Sequence, residues 1–364
     1  METMILSTDD VRSIVKHVGL HAFMDHMIDR LTKTLEAFDI EHMVIPPRAG
    51  FEYTRPHTGL IEWMPAMRLG QKATIKIVGY HPTNPVLRGI PTILSTISMY
   101  DTTTGHLTGI ADGTFLTALR TGAASAVASK FMASPDSKTI GLVGCGAQAV
   151  TQLHAISRIF DVETVLTYDT DPSVCHSFSE RVSFLGLPIQ TVPPEILVKM
   201  SDIICTATSV NIKEGPVFED SETKPWLHIN AVGSDFPGKI EVPAALLKRA
   251  FVSPDFRSQA VLEGECQQLE EDHIGPELVE IVQQADQYGF VKDRLSVFDS
   301  TGWALEDEIA MEILIKYAKE LGFGKMIELE SIPEDPRNPY QLFTAENISG
   351  REKVEIAEAL EISE

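Results

Sequence analysis

Four cysteines in 364 residues, Cys145, Cys175, Cys205 and Cys266, lie far apart, and no two of them form a C-x-x-C pair. That spacing argues against a disulfide frame or a cysteine-based zinc site and suits reduced thiols in a cytoplasmic protein. Long apolar runs are missing as well. No stretch reaches the roughly 18 apolar residues of a membrane helix, and the N-terminus METMILSTDDVRSIVKHVG lacks the basic-then-apolar pattern of a secretory signal. Positive charge is scarce: 30 basic against 52 acidic residues give a formal net charge of −22. This balance argues against nucleic acid or an anionic membrane as partner. An anionic small molecule would have to be met by cations placed locally. Internal repeats and low-complexity tracts are not evident.

What remains is an ordinary globular composition, 43% hydrophobic and 23% charged, on a chain long enough for two domains. A strand-like MILS precedes a helix that starts near Ser7 to Asp10. From about 43 to 110, short β-rich runs (MVIPPR, LIEWMPA, KATIKIVGYH, PTILSTISMYD) alternate with turn signals, which predicts a mostly antiparallel sheet with YDTTTGHLTGIAD as a hairpin. Residues 113 to 133, GTFLTALRTGAASAVASKFMA, read as a helix of small residues able to pack closely against a neighbour. From Lys138 the rhythm is strand, helix, strand. TIGLVGCG, AQAVTQLHAISRIF and VETVLTYD are followed by SDIICTATS, WLHINAVGSD and AFVSP, the signature of a parallel, helix-covered sheet. A helix around IAMEILIKYAKELG follows LSVFDSTGWALEDE, and the acidic tail REKVEIAEALEISE reads as a solvated helix or frayed end.

The segment Gly144-Cys145-Gly146-Ala147-Gln148-Ala149 fits G-x-G-x-x-G/A. Its context strengthens it: an apolar strand before, an amphipathic helix within, and a second strand ending in Asp169 about 20 residues on. The first glycine permits a tight turn, the second lets backbone approach a pyrophosphate, and a small third residue lets helix and strand pack. The helix N-terminus adds free N–H groups and a positive dipole end. Asp169 can accept from both ribose hydroxyls and would repel a 2′-phosphate. The Thr-Asp-Pro that follows offers no arginine, so NAD is expected over NADP. Cys145 reads as a small loop filler without redox chemistry.

Charges in otherwise apolar segments supply the remaining signal. Arg48 follows two prolines, Glu62 lies in LIEWMP and Lys76 in ATIKIVG. Arg120 lies in TALRTGAAS and Asp235 in NAVGSDFPGK. Such charges seldom stay buried unpaired, and three cations together are what an amino-acid carboxylate requires. Glu306 and Asp307 in GWALEDE read as acids that cap or pair within their own helix, and His81 as a turn former or a substrate contact.

At these residues the chain resembles the ornithine cyclodeaminase and mu-crystallin family, from roughly residue 40 to 320. The likeness rests on LIEWMP, KIVGYHPTN, TALRTGAASAVASK, GLVGCGAQ, INAVGSDFPGK and VFDSTGWALED taken in order. It implies an α/β fold, with a Rossmann dinucleotide-binding domain (131–309) and a mixed α+β substrate and dimerisation domain (1–130, completed by 310–364). It further implies Arg48, Lys76 and Arg120 on the substrate carboxylate, Asp235 as catalytic acid–base, Glu62 in the same pocket, and Gly302 lining the substrate end. For the cofactor it implies Thr92, Arg120, Thr121, Ala147, Gln148, Asp169, the Ile229-Asn230-Ala231-Val232 turn, Lys239 and Thr301, beside Gly144 and Gly146 of the loop. No metal is implied, and the family commonly forms homodimers.

The activity that follows is NAD-dependent deaminating cyclisation of L-ornithine to L-proline and ammonia. The nicotinamide would take a hydride from Cα and return it after ring closure, so the reaction has no net oxidation. Lysine as substrate, an amino-acid dehydrogenase, a cyclic-imine reductase and a non-catalytic nucleotide-binding protein share most of these features and stay open at this point.

Overall fold

The computed structural model describes residues 1–341; the acidic tail discussed above lies outside them. Its strands are β1 (Thr3–Leu6), β2 (Met43–Val44), β3 (Ala49–Tyr53), β4 (Gly59–Arg68), β5 (Lys72–Tyr80), β6 (Ile93–Asp101) and β7 (Leu107–Asp112) in the first part of the chain. After these come β8 (Thr139–Val143), β9 (Thr164–Tyr168), β10 (Ile189–Thr191), β11 (Ile203–Thr206), β12 (His228–Ala231), β13 (Phe251–Pro254) and β14 (Ser296–Asp299), and finally β15 (Lys325–Ile327). They form two sheets. One, ordered β15-β1-β7-β6-β5-β4-β2 with β3 also on β4, is antiparallel except for β1 beside β7. The other, ordered β10-β9-β8-β11-β12-β14-β13, is parallel throughout.

The second order is that of a Rossmann sheet, with its direction of winding reversing between β8 and β11. Ligands of such sheets bind outside the carboxyl ends of the strands at that switch point. The central strands here are buried on both faces, as helix-covered parallel strands must be: Ile203 to Thr206 and Ser296 to Asp299 are buried at every position. In the antiparallel sheet the alternation is inverted from the usual sense along β5. Thr74, Lys76 and Val78 point inward, while Ile77 is exposed.

The start of the first helix obeys local rules. Ser7 caps the helix Thr8–Val18 and Asp10 closes the capping box. The helix Thr114–Met132 joins the two sheets. Its run of Ala, Ser and Gly is almost entirely buried, and it packs on the helices Leu20–Glu36, Ala147–Ile156 and Ala304–Leu321 and on β12. A Cβ at Gly122 would stand 2.4 Å from the Thr151 carbonyl oxygen, so backbone meets backbone there and only glycine fits. One hydrophobic core runs from Met4 and Phe23 on one side to Ile140 and Phe298 on the other without a break at this helix.

Two local differences from the sequence reading have simple causes. Residues 229 to 231 are not a turn but the last part of strand β12, because the apolar run continues to Ala231 and the chain bends only at Gly233 and beyond. The helix after the glycine loop stops at Ile156 rather than near Phe160, where turns take over.

Candidate active site

Where β4, β5 and the helices Thr114–Met132 and Ala304–Leu321 converge, three buried cations meet a larger set of carboxylates. Lys76 Nζ lies 2.8 Å from Asp307 Oδ2, with both side chains only 1% exposed. Arg120 Nη1 donates to Glu306 Oε2 at 2.7 Å, and its Nε stands 3.2 Å from Asp307 Oδ1. Arg48 is set between two acids: Nη1 to Glu62 Oε2 at 3.4 Å and Nε to Glu263 Oε1 at 2.8 Å. Its Nη2 also donates to the Thr301 and Gly302 carbonyls. Asp235 pairs with Lys239 at 2.9 Å, close enough for its charge to act on Arg48 and Glu62. Lys239 also lies 5.6 Å over the Tyr80 ring, with the substrate-side acid rather than at the glycine loop.

The electrostatics follow from burial and neighbours. Burial, with Arg120 close by, pushes the Lys76 ammonium down to about 8 despite Asp307. Burial raises Glu62, with Arg48 opposing. Glu263 is carried up to about 8 by burial, again against Arg48 and with Glu62 and Asp235 reinforcing the rise. Glu306 goes to about 7 by burial, with Arg120 opposing. For Arg48, burial works against the charged form, but Glu263 and Glu62 more than offset it and hold the guanidinium above its ordinary value.

The turn after β14 locks this arrangement. Asp255, at the carboxyl end of β13, accepts from Thr301 Oγ1 at 3.0 Å and Gly302 N at 2.7 Å. Gln259 donates to Thr301 Oγ1 at 2.8 Å and to the Gly302 carbonyl at 3.1 Å. Gly302 has φ +90°, and a Cβ there would stand 2.6 Å from the Arg120 guanidinium. Both facts require glycine.

The glycine loop occupies the turn from β8 into the helix Ala147–Ile156. Gly144 has φ +86° and a Cβ on it would meet the Ala207 carbonyl at 2.7 Å, whereas a Cβ on Gly146 would meet nothing within 4 Å. The loop is tight behind and open in front. No side chain caps the helix start, which leaves its first N–H groups facing that open space. Asp169 ends the second strand, and its Oδ2 accepts from Cys145 N at 2.8 Å and its Oδ1 from Asp171 N at 2.9 Å. An arginine does come near, from further along than the Thr-Asp-Pro: Arg181 donates to the Cys145 carbonyl at 2.7 Å and the Gly146 carbonyl at 3.3 Å, so it braces the loop. These features fit a dinucleotide: the loop and helix start for pyrophosphate, Asp169 for ribose.

Of the residues expected from sequence, Arg48, Glu62, Lys76, Arg120, Thr301 and Gly302 come together, with Asp235 and Lys239 at their edge. Gly144, Gly146, Ala147, Gln148 and Asp169 form the second group, and the Thr121 carbonyl takes Gln152 Nε2 at 3.3 Å behind it. Val232 follows β12, its N–H bonded to Thr206 O at 3.0 Å. The Asn230 amide points away to Ser129 at 2.9 Å. Thr92 sits after β5, its carbonyl accepting from His81 N at 2.8 Å, and His81 Nε2 pairs with Tyr53 Oη at 2.7 Å.

Glu306 and Asp307 correct the sequence reading. They pair across to Arg120 and Lys76, not within their helix, because the whole first turn of Ala304–Leu321 is buried. Glu263, Asp255 and Gln259 were missed altogether. Asp255 had a signal, since an acid just past an apolar parallel strand falls at the ligand-binding edge of the sheet. Glu263 had only its position at the end of a half-apolar helix, and burial of that kind is set by tertiary packing.

A Rossmann sheet with an open glycine loop, beside a cluster of buried cations and carboxylates, is the arrangement of a dinucleotide-binding protein. Residues 8–320 match the model of the Ornithine cyclodeaminase/mu-crystallin family, and the chain belongs to it. L-lysine cyclodeaminase of Streptomyces rapamycinicus is 40% identical over 343 residues, 94% of this chain and 100% of the relative. A solved lysine cyclodeaminase, described as recognising L-lysine, L-ornithine and L-2,4-diaminobutyric acid, superposes with a TM-score of 0.91 at 47% identity, covering 94% of this chain and 100% of its own. An archaeal alanine dehydrogenase dimer with bound NAD gives a TM-score of 0.79 at 28% identity, covering 91% and 100%.

Proposed function

We propose that this chain is an NAD-dependent cyclodeaminase of α,ω-diamino acids, with L-lysine the preferred substrate and L-ornithine a shorter alternative. The overall change is loss of ammonia with closure of a ring containing the remaining nitrogen. Lysine gives the six-membered piperidine-2-carboxylate and ornithine gives proline. NAD, when bound, stores the Cα hydride until the ring has closed. The order of substrates differs from the sequence expectation of ornithine first, and it rests on the likeness to lysine cyclodeaminases.

The observation that carries the reading is the balance of charge in the cleft. Four cations, Arg48, Lys76, Arg120 and Lys239, face six acids, Glu62, Asp235, Asp255, Glu263, Glu306 and Asp307. A diamino acid brings two ammonium groups to one carboxylate, and the second ammonium suits acids that burial holds above their ordinary values and that a nearby cation would return to the charged form. A simple amino acid brings no second ammonium. Lys76 and Arg120, with Arg48, hold the α-carboxylate, oriented by Glu306 and Asp307 behind them. Asp235, the most exposed of these acids at 32%, takes the proton that must leave an ammonium before its nitrogen can attack. Glu62 lies in the same pocket as a second acid. The glycine loop, Ala147, Gln148 and Asp169 hold the dinucleotide, with Thr121 behind them and Thr92, Ile229 to Val232, Lys239 and Thr301 toward its nicotinamide end.

Within this reading, residues 1–130 and 310–341 belong to the substrate and dimerisation domain and residues 131–309 to the nucleotide domain; the rest of the expected 310–364 segment lies outside the described residues. The four buried free cysteines suit a reducing, cytoplasmic setting. No helix among the described residues is long and apolar enough to cross a membrane. The test is product analysis with catalytic NAD and L-lysine, L-ornithine or L-alanine in turn. Ammonia and cyclic amino acid without accumulating NADH are expected from the diamines. Steady NADH from alanine, with no ring product from either diamine, would replace the reading by a dehydrogenase.

A further inference from the structure

Glu263 is the acid in this cleft whose presence the carboxylate clamp does not explain. It closes the short helix Arg257–Glu263, is 7% exposed, and shares Arg48 with Glu62. One guanidinium thus serves two carboxylates, and burial holds both above their ordinary values. Glu263 Oε1 is fully buried 2.8 Å from Arg48 Nε, and because that contact is out of line for a hydrogen bond, both atoms are left without an aligned partner. Buried carboxylate oxygens nearly always take a donor. Ser234, next to Asp235 in sequence, reaches the Glu263 backbone carbonyl at 3.3 Å, so the Asp235 turn and the end of this helix are held side by side.

We propose that Glu263 receives the distal ammonium of the substrate and so selects for a diamine of a given chain length. This rests on the diamino-acid reading above. Lys76 and Arg120 have their own acids in Glu306 and Asp307, whereas Glu263 makes its ion-pair contact with Arg48. A substrate whose carboxylate sits on Lys76 and Arg120 would turn its side chain toward Glu62, Asp235 and Glu263, whose charges act on one another. An ammonium brings this group of acids a positive charge and an N–H donor that Arg48 alone does not align. Glu263 faces Arg48, Glu62, Asp235 and Asp255. Since burial among them lifts it to about 8, its grip on an ammonium strengthens as pH rises toward that value.

The test compares Glu263→Gln and Glu263→Asp with the wild type, using L-lysine, L-ornithine and L-norleucine, which has the lysine chain without the amine. In Glu263→Gln the KM for L-lysine rises by about tenfold or more, while competitive inhibition by L-norleucine is unchanged or tighter. The rise of lysine kcat/KM toward pH 8 also disappears. Glu263→Asp withdraws the acid by one methylene, so the ratio of kcat/KM for lysine over ornithine increases. Norleucine and lysine weakened equally in Glu263→Gln would overturn the proposal in favour of a structural role. So would an unchanged lysine-to-ornithine ratio in Glu263→Asp, which decides the matter even where the glutamine variant fails to fold. Wild-type enzyme that makes no cyclic product from any diamine would remove the functional reading itself, a different result from an active wild type with an indifferent Glu263.

Discussion

Asp235 and Lys76 sit in the same cluster in different settings. Asp235 keeps a third of its side chain in solvent and one oxygen on Lys239, so it can exchange a proton with a substrate amine without reorganising the buried cluster. Asp235→Asn keeps the shape and removes the base. Turnover should fall by at least about a hundredfold, within the range for a lost acid–base group, with NAD affinity within about twofold of wild type. An asparagine enzyme of normal kcat, measured beside NAD titration, would take Asp235 out of the chemistry. Lys76 is the opposite case, sealed at 1% exposure with its pKa depressed to about 8 by burial and by Arg120. Only its charged form holds a carboxylate, so affinity is present below that value and is lost as pH rises through it. The kcat/KM for lysine should decline above about pH 8; a profile flat to pH 10 would contradict the clamp. Gly302 is equally exacting. With φ +90° and the Arg120 guanidinium 2.6 Å from its would-be Cβ, Gly302→Ala should displace Arg120 and raise substrate KM by tenfold or so, the scale of one charge-assisted hydrogen bond.

At the scale of elements, legibility followed from how local the cause was. The strand, glycine loop and helix from Thr139 to Ile156 were readable because turn chemistry and periodicity are properties of neighbours in sequence. The small-residue helix Thr114–Met132 was readable for the same reason, although nothing in it announced that it would lie between two sheets. Arg48, Lys76 and Arg120 stood out as charges in apolar surroundings. Their partners did not: Asp307 is separated from Lys76 by more than half the chain, and an acid in the first turn of a helix reads as an ordinary dipole-compensating residue. Burial of that turn is a tertiary fact, and it turns Glu306 and Asp307 from surface charges into counter-ions. Glu263 was invisible for the same reason. The nucleotide end gives its own test at this scale. Asp169 both offers itself to ribose and holds the loop through Cys145 N at 2.8 Å. Asp169→Ala therefore loses a ligand contact and loosens the cradle, and Kd for NAD should rise by tenfold or more. An unchanged Kd in a fluorescence titration would refute the assignment.

At the scale of the molecule, the described residues carry a surface that the fold leaves unexplained. Along β4 and β5, and at Leu94 of β6, the outward side is apolar where a water-facing sheet is usually polar, although β6 also sets Thr96 beside Ile77. Ile61 is 41%, Ile77 48% and Leu94 45% exposed, and the pairing register sets Trp63 beside Ile77 and Leu94 beside Gly79, next to Ile61. The inward side of the same strands carries Glu62 and Lys76. The strict alternation of a strand thus couples the two surfaces: whatever covers the outer face also steadies Glu62 and Lys76, the residues proposed to face substrate. A second copy of this chain is the occupant we expect, as the sequence resemblance implies and as the archaeal alanine dehydrogenase neighbour, itself a dimer, illustrates. Two copies also bring two charges of −22 together, so apolar burial must outweigh a like-charge repulsion that salt screens. Sedimentation should therefore report a species of twice the 40.1 kDa chain mass, held more tightly as salt is raised. Ile77→Asp places a charge in the centre of that face, and with about 1.5–3 kcal/mol of burial lost at each of two symmetry-related sites the dimer should dissociate at micromolar concentration. Because Ile77 adjoins Lys76, the monomer so formed should also bind substrate less tightly. A variant that stays dimeric, or a wild type that sediments as a monomer at high salt, would mean that this face serves no pairing of copies.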